Sequence, residues 1–198
     1  MTTETHLSTD RPRRSILQIL VPTILILLTV VLVFLLMKRS NDRETSEFST
    51  PDPLLGTVIS DLKFKPLNQN QSVSLSKMGS KIILINFWAT WCEACVTELP
   101  SLVALQKSYP LDQLRVLFVS LDESPDPTVQ QEMERLGVPF PGFRDVQENA
   151  IQTFAVEGIP VTVALNSQRK VLMLETGEKN WNSPEFRNKI DRWISLEQ

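Results

Sequence analysis

The sequence of 198 residues contains only two cysteines and one histidine, and these shortages exclude several kinds of site. A structural zinc site takes about four Cys or His ligands, and the Ser-His-Asp triad and its common cysteine variants need a histidine. The histidine, His6, stands near the N-terminus, far along the chain from both cysteines. Haem attachment through Cys-x-x-Cys-His needs a histidine directly after Cys95, where Val96 stands. We therefore expect no metal site and no bound cofactor.

Excess positive charge is also absent, since 20 basic residues face 23 acidic ones and the net charge is −3. A protein that binds nucleic acid usually carries a basic surface, so no nucleic-acid partner is expected. Hydrophobic residues make up 42% and charged residues 22%, which is typical of a globular chain. The length suits one membrane-spanning segment and one domain of ordinary size.

The longest hydrophobic run, residues 16–37, carries no charge. As a helix it would be about 33 Å long, enough for a hydrocarbon core of about 30 Å. It is longer than the apolar stretch of a cleavable signal peptide, so we predict a retained transmembrane anchor. Three basic residues lie close to each end, so the positive-inside rule leaves the orientation undecided.

The anchor divides the chain into four predicted parts. Residues 1–15 form a short N-terminal tail, and residues 38–53 form a polar linker closed by prolines. Residues 54–198 form the folded domain, which the linker would hold near the membrane.

The domain alternates predicted strands with predicted helices, a pattern typical of an α/β sheet with helices on its faces. Near-continuous apolar runs predict buried strands at 82–87 and 114–121. Shorter strands are predicted at 58–64, 72–75, 161–165 and 170–175. Helices are predicted at 93–109, at 147–156, from Asp126 to Gly137, and from Ser183-Pro184 onward. Asp126 and Ser183 are the predicted N-caps of the last two of these helices.

Cys92 and Cys95 form a Cys-x-x-Cys motif where a predicted buried strand meets a predicted helix. A thiol at a helix N-terminus is favoured as thiolate by free N–H groups and the helix dipole. The thiolate attacks another disulfide, and the second cysteine then resolves the mixed disulfide. A structural disulfide and half of a zinc site are the alternatives. The chain offers no further ligands for a zinc site, and a disulfide across so short a loop adds little to the stability of the fold.

Three sequence features in the correct order resemble those of thioredoxin-fold proteins. The run Asn86–Cys95, followed by Glu98-Leu99-Pro100, looks like their active site, and Gly158-Ile159-Pro160 is similar to their cis-proline loop. The long connection 122–145 and the N-terminal hairpin resemble the TlpA/ResA type, which are membrane-anchored thiol–disulfide interchange proteins. The resemblance therefore implies a thioredoxin-like fold with an N-terminal hairpin and a helical insertion, preceded by one transmembrane helix.

The resemblance implies roles for particular residues. Cys92 would be the nucleophile and Cys95 the resolving thiol, the two forming a redox-active disulfide. Trp91 would shield the site. Ile159 and Pro160, joined by a cis peptide bond, would expose backbone to pair with an extended substrate segment.

Two acidic residues and one amide distinguish the predicted site. Asn86 stands where thioredoxin carries a buried aspartate, and an amide cannot shuttle a proton. Glu98 matches the carboxylate of the TlpA/ResA type and lies one helical turn from Cys95, so it would exchange the proton of the resolving thiol. The alternative is an ordinary solvated glutamate. Glu93 places negative charge beside Cys92 and opposes the helix dipole.

The resulting hypothesis is a membrane-tethered thiol–disulfide oxidoreductase of the inner membrane that faces the periplasm. Acidic residues near the thiols disfavour thiolate, which argues for a reductant rather than a strong oxidant. Expected partners are disulfide-containing proteins, for example apocytochrome c during cytochrome c maturation, and an upstream membrane thiol electron donor.

Three alternatives remain open. One is a general disulfide oxidase or isomerase. Another is a peroxiredoxin-like peroxidase, although Ala89 stands where that site needs threonine. The third is a non-catalytic binding module with a structural disulfide.

Overall fold

The computed structural model describes residues 25–34 and 53–197, which fall in two compact units, Met1–Thr50 and Pro51–Gln198. In the first unit, residues 25–34 form helix α1, and its large apolar side chains are exposed. None of the helices within the described ranges has both the length and the apolar character that a membrane span requires. The predicted tail, the linker up to its last residue and the two ends of the predicted anchor 16–37 lie outside the described residues.

Over residues 53–197 the second unit forms one sheet of seven strands with four α-helices. The strands are β1 (Lys63–Pro66), β2 (Val73–Ser74), β3 (Ile82–Trp88), β4 (Leu114–Ser120), β5 (Gly142–Arg144), β6 (Val161–Asn166) and β7 (Val171–Thr176). The helices are α2 (Glu93–Lys107), α3 (Asp126–Arg135), α4 (Asn149–Thr153) and α5 (Pro184–Leu196), and a 3₁₀ turn covers Leu75–Lys77.

The strand order is β2-β1-β5-β4-β3-β6-β7. Strand β4 runs parallel to both β3 and β5, whereas every other neighbouring pair is antiparallel. The carboxyl ends of β3, β4 and β5 therefore meet at one edge of the sheet, where their connecting loops converge. The predicted α/β class is confirmed.

Strand β3 is central because its apolar residues can be buried on both faces of the sheet. Successive side chains point to opposite faces. Ile82, Leu84 and Trp88 pack in one apolar core with residues of α2, α3 and α5, and Ile83 and Ile85 pack in a second core with residues of α4. By this alternation Asn86 points toward the layer that contains α2.

The first predicted strand, 58–64, is placed wrongly. Strand β1 begins at Lys63, and the chain before it runs beside β7 instead: Gly56 N donates to Val171 O at 2.8 Å, and Val58 forms an isolated bridge with Lys170. In this earlier segment Ile59 and Leu62 are buried in the core, whereas Val58 is exposed.

The connection 122–145 carries helix α3, as expected, but also the short strand β5, which the sequence pattern does not indicate. Helix α3 begins at Asp126, with Pro125 in the capping position where Asp126 was expected. Helix α4 is half as long as predicted. The predicted cap of α5 is confirmed, because Ser183 Oγ accepts a hydrogen bond from Phe186 N at 3.3 Å.

Candidate active site

The two cysteines lie where β3 passes into α2. Cys92 is the N-cap residue of α2, and its Sγ accepts a hydrogen bond from Cys95 N at 3.2 Å. The two sulfurs form a disulfide. Cys92 is 8% exposed and Cys95 is fully buried, so solvent and partner molecules reach the sulfur of Cys92 first.

The loop before β6 faces this disulfide. Strand β6 pairs with β3, with Val161 opposite Phe87, and this register brings the preceding residues to the end of β3. The Ile159–Pro160 peptide bond is cis, as expected. Ile159 O lies 3.8 Å from Cys92 Sγ, so a backbone acceptor stands directly beside the more accessible sulfur.

Trp91 is 70% exposed, which is unusual for a large aromatic side chain beside a buried strand. A groove of about 500 Å³ extends from it toward α3 and is lined partly by Thr90, Thr128 and Glu132. Phe87, near the end of β3, lies in the core instead. The surface next to the disulfide therefore offers an exposed indole and a groove built by the insertion.

Glu98 is 2% exposed, so it is not the solvated glutamate of the alternative interpretation. Its Oε1 accepts a hydrogen bond from Asn86 Nδ2 at 2.8 Å. Its Oε2 accepts one from Trp181 Nε1 at 2.8 Å and one from Lys179 N at 3.2 Å. The donors come from β3 and from the segment before α5, and none of them carries a charge.

Burial raises the pKa of the Glu98 carboxyl above its ordinary value, and the carboxylate of Glu178 adds to this effect. The three hydrogen bonds lower the pKa, but the cost of removing a charge from water is larger. Glu98 therefore holds a proton at a higher pH than a solvated glutamate does. It lies one turn along α2 from Cys95.

A second buried carboxylate holds the loop that precedes Cys92. Asp122 accepts hydrogen bonds from Thr90 N, at 3.1 Å to each carboxylate oxygen, and from Thr90 Oγ1 at 2.6 Å. Ser120 Oγ donates to the same carboxylate at 2.8 Å. Arg144, at the end of β5, donates to Ser120 Oγ at 3.1 Å and to Ser124 O at 2.6 Å. The insertion is thereby tied to the active-site loop.

Of the residues that surround Glu98, sequence reasoning singled out Asn86 but not Trp181 or Lys179. Asn86 did carry a signal, because it is the one polar residue in the apolar run 82–87. Asp122, which holds the loop before Cys92, stands two residues after the buried strand β4 and so also carried a signal. Trp181 and Lys179 carried none, since each lies about 80 positions away along the chain. Among the described residues, no group of three or more His, Cys, Asp or Glu side chains is placed to hold a metal ion.

The chain is similar to proteins of a known family. Residues 55–173 match the model of the AhpC/TSA family. The chain is 28% identical over 109 residues to the thiol-disulfide oxidoreductase ResA of Halalkalibacterium halodurans, covering 55% of this chain and 61% of that relative. It is 27% identical over 154 residues to ResA of Geobacillus thermodenitrificans, covering 77% and 87%.

A solved structure shows the same fold. The thioredoxin domain of a thiol-disulfide oxidoreductase from Bacteroides vulgatus superimposes with a TM-score of 0.60 at 18% identity, covering 72% of this chain and 99% of that one. The thioredoxin-like fold implied by the sequence resemblance is therefore confirmed.

Proposed function

The chain belongs to the AhpC/TSA family, and from this premise we propose that it is a thiol–disulfide oxidoreductase that reduces disulfides in other proteins. Relatives named thiol-disulfide oxidoreductase support the proposal. The observation that carries it is the Cys92–Cys95 disulfide, whose more accessible sulfur lies 3.8 Å from the backbone oxygen of Ile159.

The reaction begins from the dithiol form. The Cys92 thiolate attacks one sulfur of the substrate disulfide, so a mixed disulfide forms and one substrate thiolate leaves. The Cys95 thiolate then attacks Cys92 Sγ, which forms the internal disulfide and releases the second substrate thiolate. Two electrons pass to the substrate, whose two sulfurs each take up a proton. A donor dithiol must then reduce Cys92–Cys95 again.

Glu98 takes the proton of the resolving thiol in this scheme. The Cys95 thiol must lose its proton before it attacks, and bulk water has little access to its buried sulfur. A buried carboxylate with a raised pKa can accept this proton and release it later.

The substrate segment binds in extended form beside Cys92. The backbone of Ile159 pairs with it, Pro160 holds that backbone in place, and the exposed ring of Trp91 covers its side chains. The groove between Trp91 and α3 receives the part of the substrate beyond its cysteine.

We place the domain on the periplasmic side of the inner membrane, tethered by an anchor at 16–37. The exposed apolar side chains of α1 support an anchor at this part of the chain. Proteins with a Cys-x-x-Cys disulfide in an extended segment, such as apocytochrome c, are the proposed substrates, and a membrane thiol protein is the proposed donor.

Trapping of mixed disulfides tests the proposal. Replacing Cys95 by Ser removes the resolving thiol, so adducts should accumulate on Cys92 and be recovered after acid quenching. Apocytochromes among the adducts would support the maturation role, and a broad range of envelope proteins would favour a general interchange enzyme. The control is the variant with both cysteines replaced. Equal recovery from the control, or no adducts at all, would contradict the enzymatic function.

A further inference from the structure

Glu98 bonds to the sheet through Asn86 on β3, and the Asn86 amide also bonds Thr162, which lies opposite it on β6. Asn86 is fully buried, and its Nδ2 donates to Glu98 Oε1 at 2.8 Å and to Thr162 Oγ1 at 3.0 Å. Its Oδ1 is buried and, among the described residues, accepts no hydrogen bond. A buried amide oxygen without a donor is uncommon, because buried polar groups are normally hydrogen-bonded.

The hydrogen bonds of Glu98 determine where a proton can enter. Oε2 already accepts from Trp181 Nε1 and Lys179 N, and both of these groups only donate. Within residues 25–34 and 53–197, Oε1 accepts from Asn86 alone, so it has room for a proton. Once Oε1 carries that proton, it is itself a hydrogen-bond donor. In its present orientation the Asn86 amide points its NH₂ group at Oε1, so two donors would then face each other.

We infer that Asn86 and Thr162 are positioning residues that let Glu98 gain and lose a proton within the core, by reversing the direction of their hydrogen bonds. A half-turn of the Asn86 amide places Oδ1 where Nδ2 now lies. That oxygen then accepts from the protonated Oε1 and from the Thr162 hydroxyl, which can donate as well as accept. The inference rests on the proposed function, in which Glu98 exchanges the proton of Cys95.

The half-turn does not change how many polar groups of the Asn86 amide lack a hydrogen-bond partner. In the present orientation Oδ1 is unused, and after the turn Nδ2 takes its place. Asn86 can therefore donate to the ionised carboxylate and accept from the protonated carboxyl. A side chain that only accepts or only donates could bond to one of these two forms. Asn86 therefore supports the proton exchange without itself carrying a proton.

Several charged groups act on this titration. Glu178 raises the pKa of Glu98. The ammonium of Lys179 pairs with Glu175 at 2.6 Å, so that residue faces Glu98 through its backbone N–H. Glu93 is exposed at the first turn of α2, and Cys92 and Cys95 titrate only after reduction. Oxidised protein therefore gives the simplest test.

The experiment is an NMR titration of the oxidised full-length chain. The side-chain carboxyl ¹³C of Glu98 reports its protonation, and contacts between the Asn86 amide protons and the Thr162 side chain report the amide orientation. We expect these contacts at high pH and their loss through the Glu98 midpoint. Glu98→Gln assigns the carboxyl signal.

Two substitutions test the partners separately. Asn86→Leu removes the donor to Oε1, and because hydrogen bonds to a charged group are the stronger ones, Glu98 should bind its proton about tenfold more tightly. Thr162→Val, which keeps the side-chain shape, removes the hydroxyl that bonds the amide in both orientations and should shift the midpoint less than Asn86→Leu does. Thr162→Ser retains the hydroxyl and should leave the midpoint in place. If Asn86→Leu does not fold, Thr162→Val and the amide contacts still decide the question.

The inference is overturned if the amide contacts persist unchanged through the Glu98 midpoint, or if neither Asn86→Leu nor Thr162→Val moves that midpoint. These readouts do not depend on turnover. If Cys95→Ser still captures partners while the amide fails to turn, only this inference is wrong. If the amide turns but nothing is captured, the proposed function is wrong.

Discussion

Replacing Glu98 by glutamine tests whether burial or hydrogen bonding dominates at the candidate site. The substitution keeps the shape of a side chain that is 2% exposed and removes its charge. The glutamine oxygen can accept from Trp181 Nε1 and Lys179 N, as Oε2 does now. Its NH₂ group then faces Asn86, whose turned amide can accept from it.

The direction of the stability change follows from the raised pKa of Glu98. A raised folded-state pKa means that the folded chain binds more protons than the unfolded chain above the ordinary value of 4.5. This contribution to stability is fully present below that pH and is lost as the pH rises through the folded-state pKa. Glutamine does not ionise, so Glu98→Gln should be more stable than wild type at neutral pH.

The gain grows with the width of that window, by about 1.4 kcal/mol for each pH unit. Urea denaturation of the oxidised protein at pH 4, 6 and 8 measures it, and the advantage of the variant should grow with pH. Glu132→Gln is the control. Its carboxylate pairs with Arg135, which lowers the pKa of Glu132, so the control should lose stability at neutral pH. The reasoning fails if Glu98→Gln is destabilised equally at all three pH values.

Three further predictions concern other parts of the chain. Gly142→Ala should destabilise the domain by about 1–3 kcal/mol in urea denaturation, because an added Cβ would lie 2.5 Å from both Leu67 Cδ1 and Met133 Sδ; unchanged stability would mean that both side chains move aside freely. Glu93→Gln should raise the reduction potential of the disulfide by on the order of 10 mV in a glutathione titration, because an exposed charge acts weakly; a lower potential would show that Glu93 does not disfavour thiolate. Protease added to spheroplasts should digest residues 54–198, and full protection would contradict the proposed orientation.

The central strands were predictable because their signal is local. The apolar runs of β3 and β4 stand out in the sequence, and the Cys-x-x-Cys motif directly after β3 placed the disulfide correctly. Strand β5 could not be found in this way. Three residues, Gly142–Arg144, show no periodicity, and they become a strand only because β1 and β4 are there to pair with them.

The environment of Glu98 was not predictable for a similar reason. Its distance from Cys95 along α2 follows from helical spacing, but its burial depends on β3 and on the segment before α5. Trp181 looks like any core aromatic in the sequence, and only the folded chain brings its indole N–H to the carboxylate. Trp91 is the opposite case, because its ring is exposed in the folded chain. The sequence pattern alone would assign an aromatic residue beside a buried strand to the core.

Transfer of a disulfide from a substrate to Cys92 and Cys95 is the reaction that the proposed function requires. The full-length chain is reduced, freed of reductant and mixed with an equimolar peptide that contains an oxidised Cys-x-x-Cys-His segment, and both products are quantified by mass spectrometry after acid quenching. The account predicts that the Cys92–Cys95 disulfide forms in the same amount as reduced peptide, and that Cys92→Ser abolishes the transfer. Reduced peptide without disulfide in the protein, or equal transfer by Cys92→Ser, would contradict it.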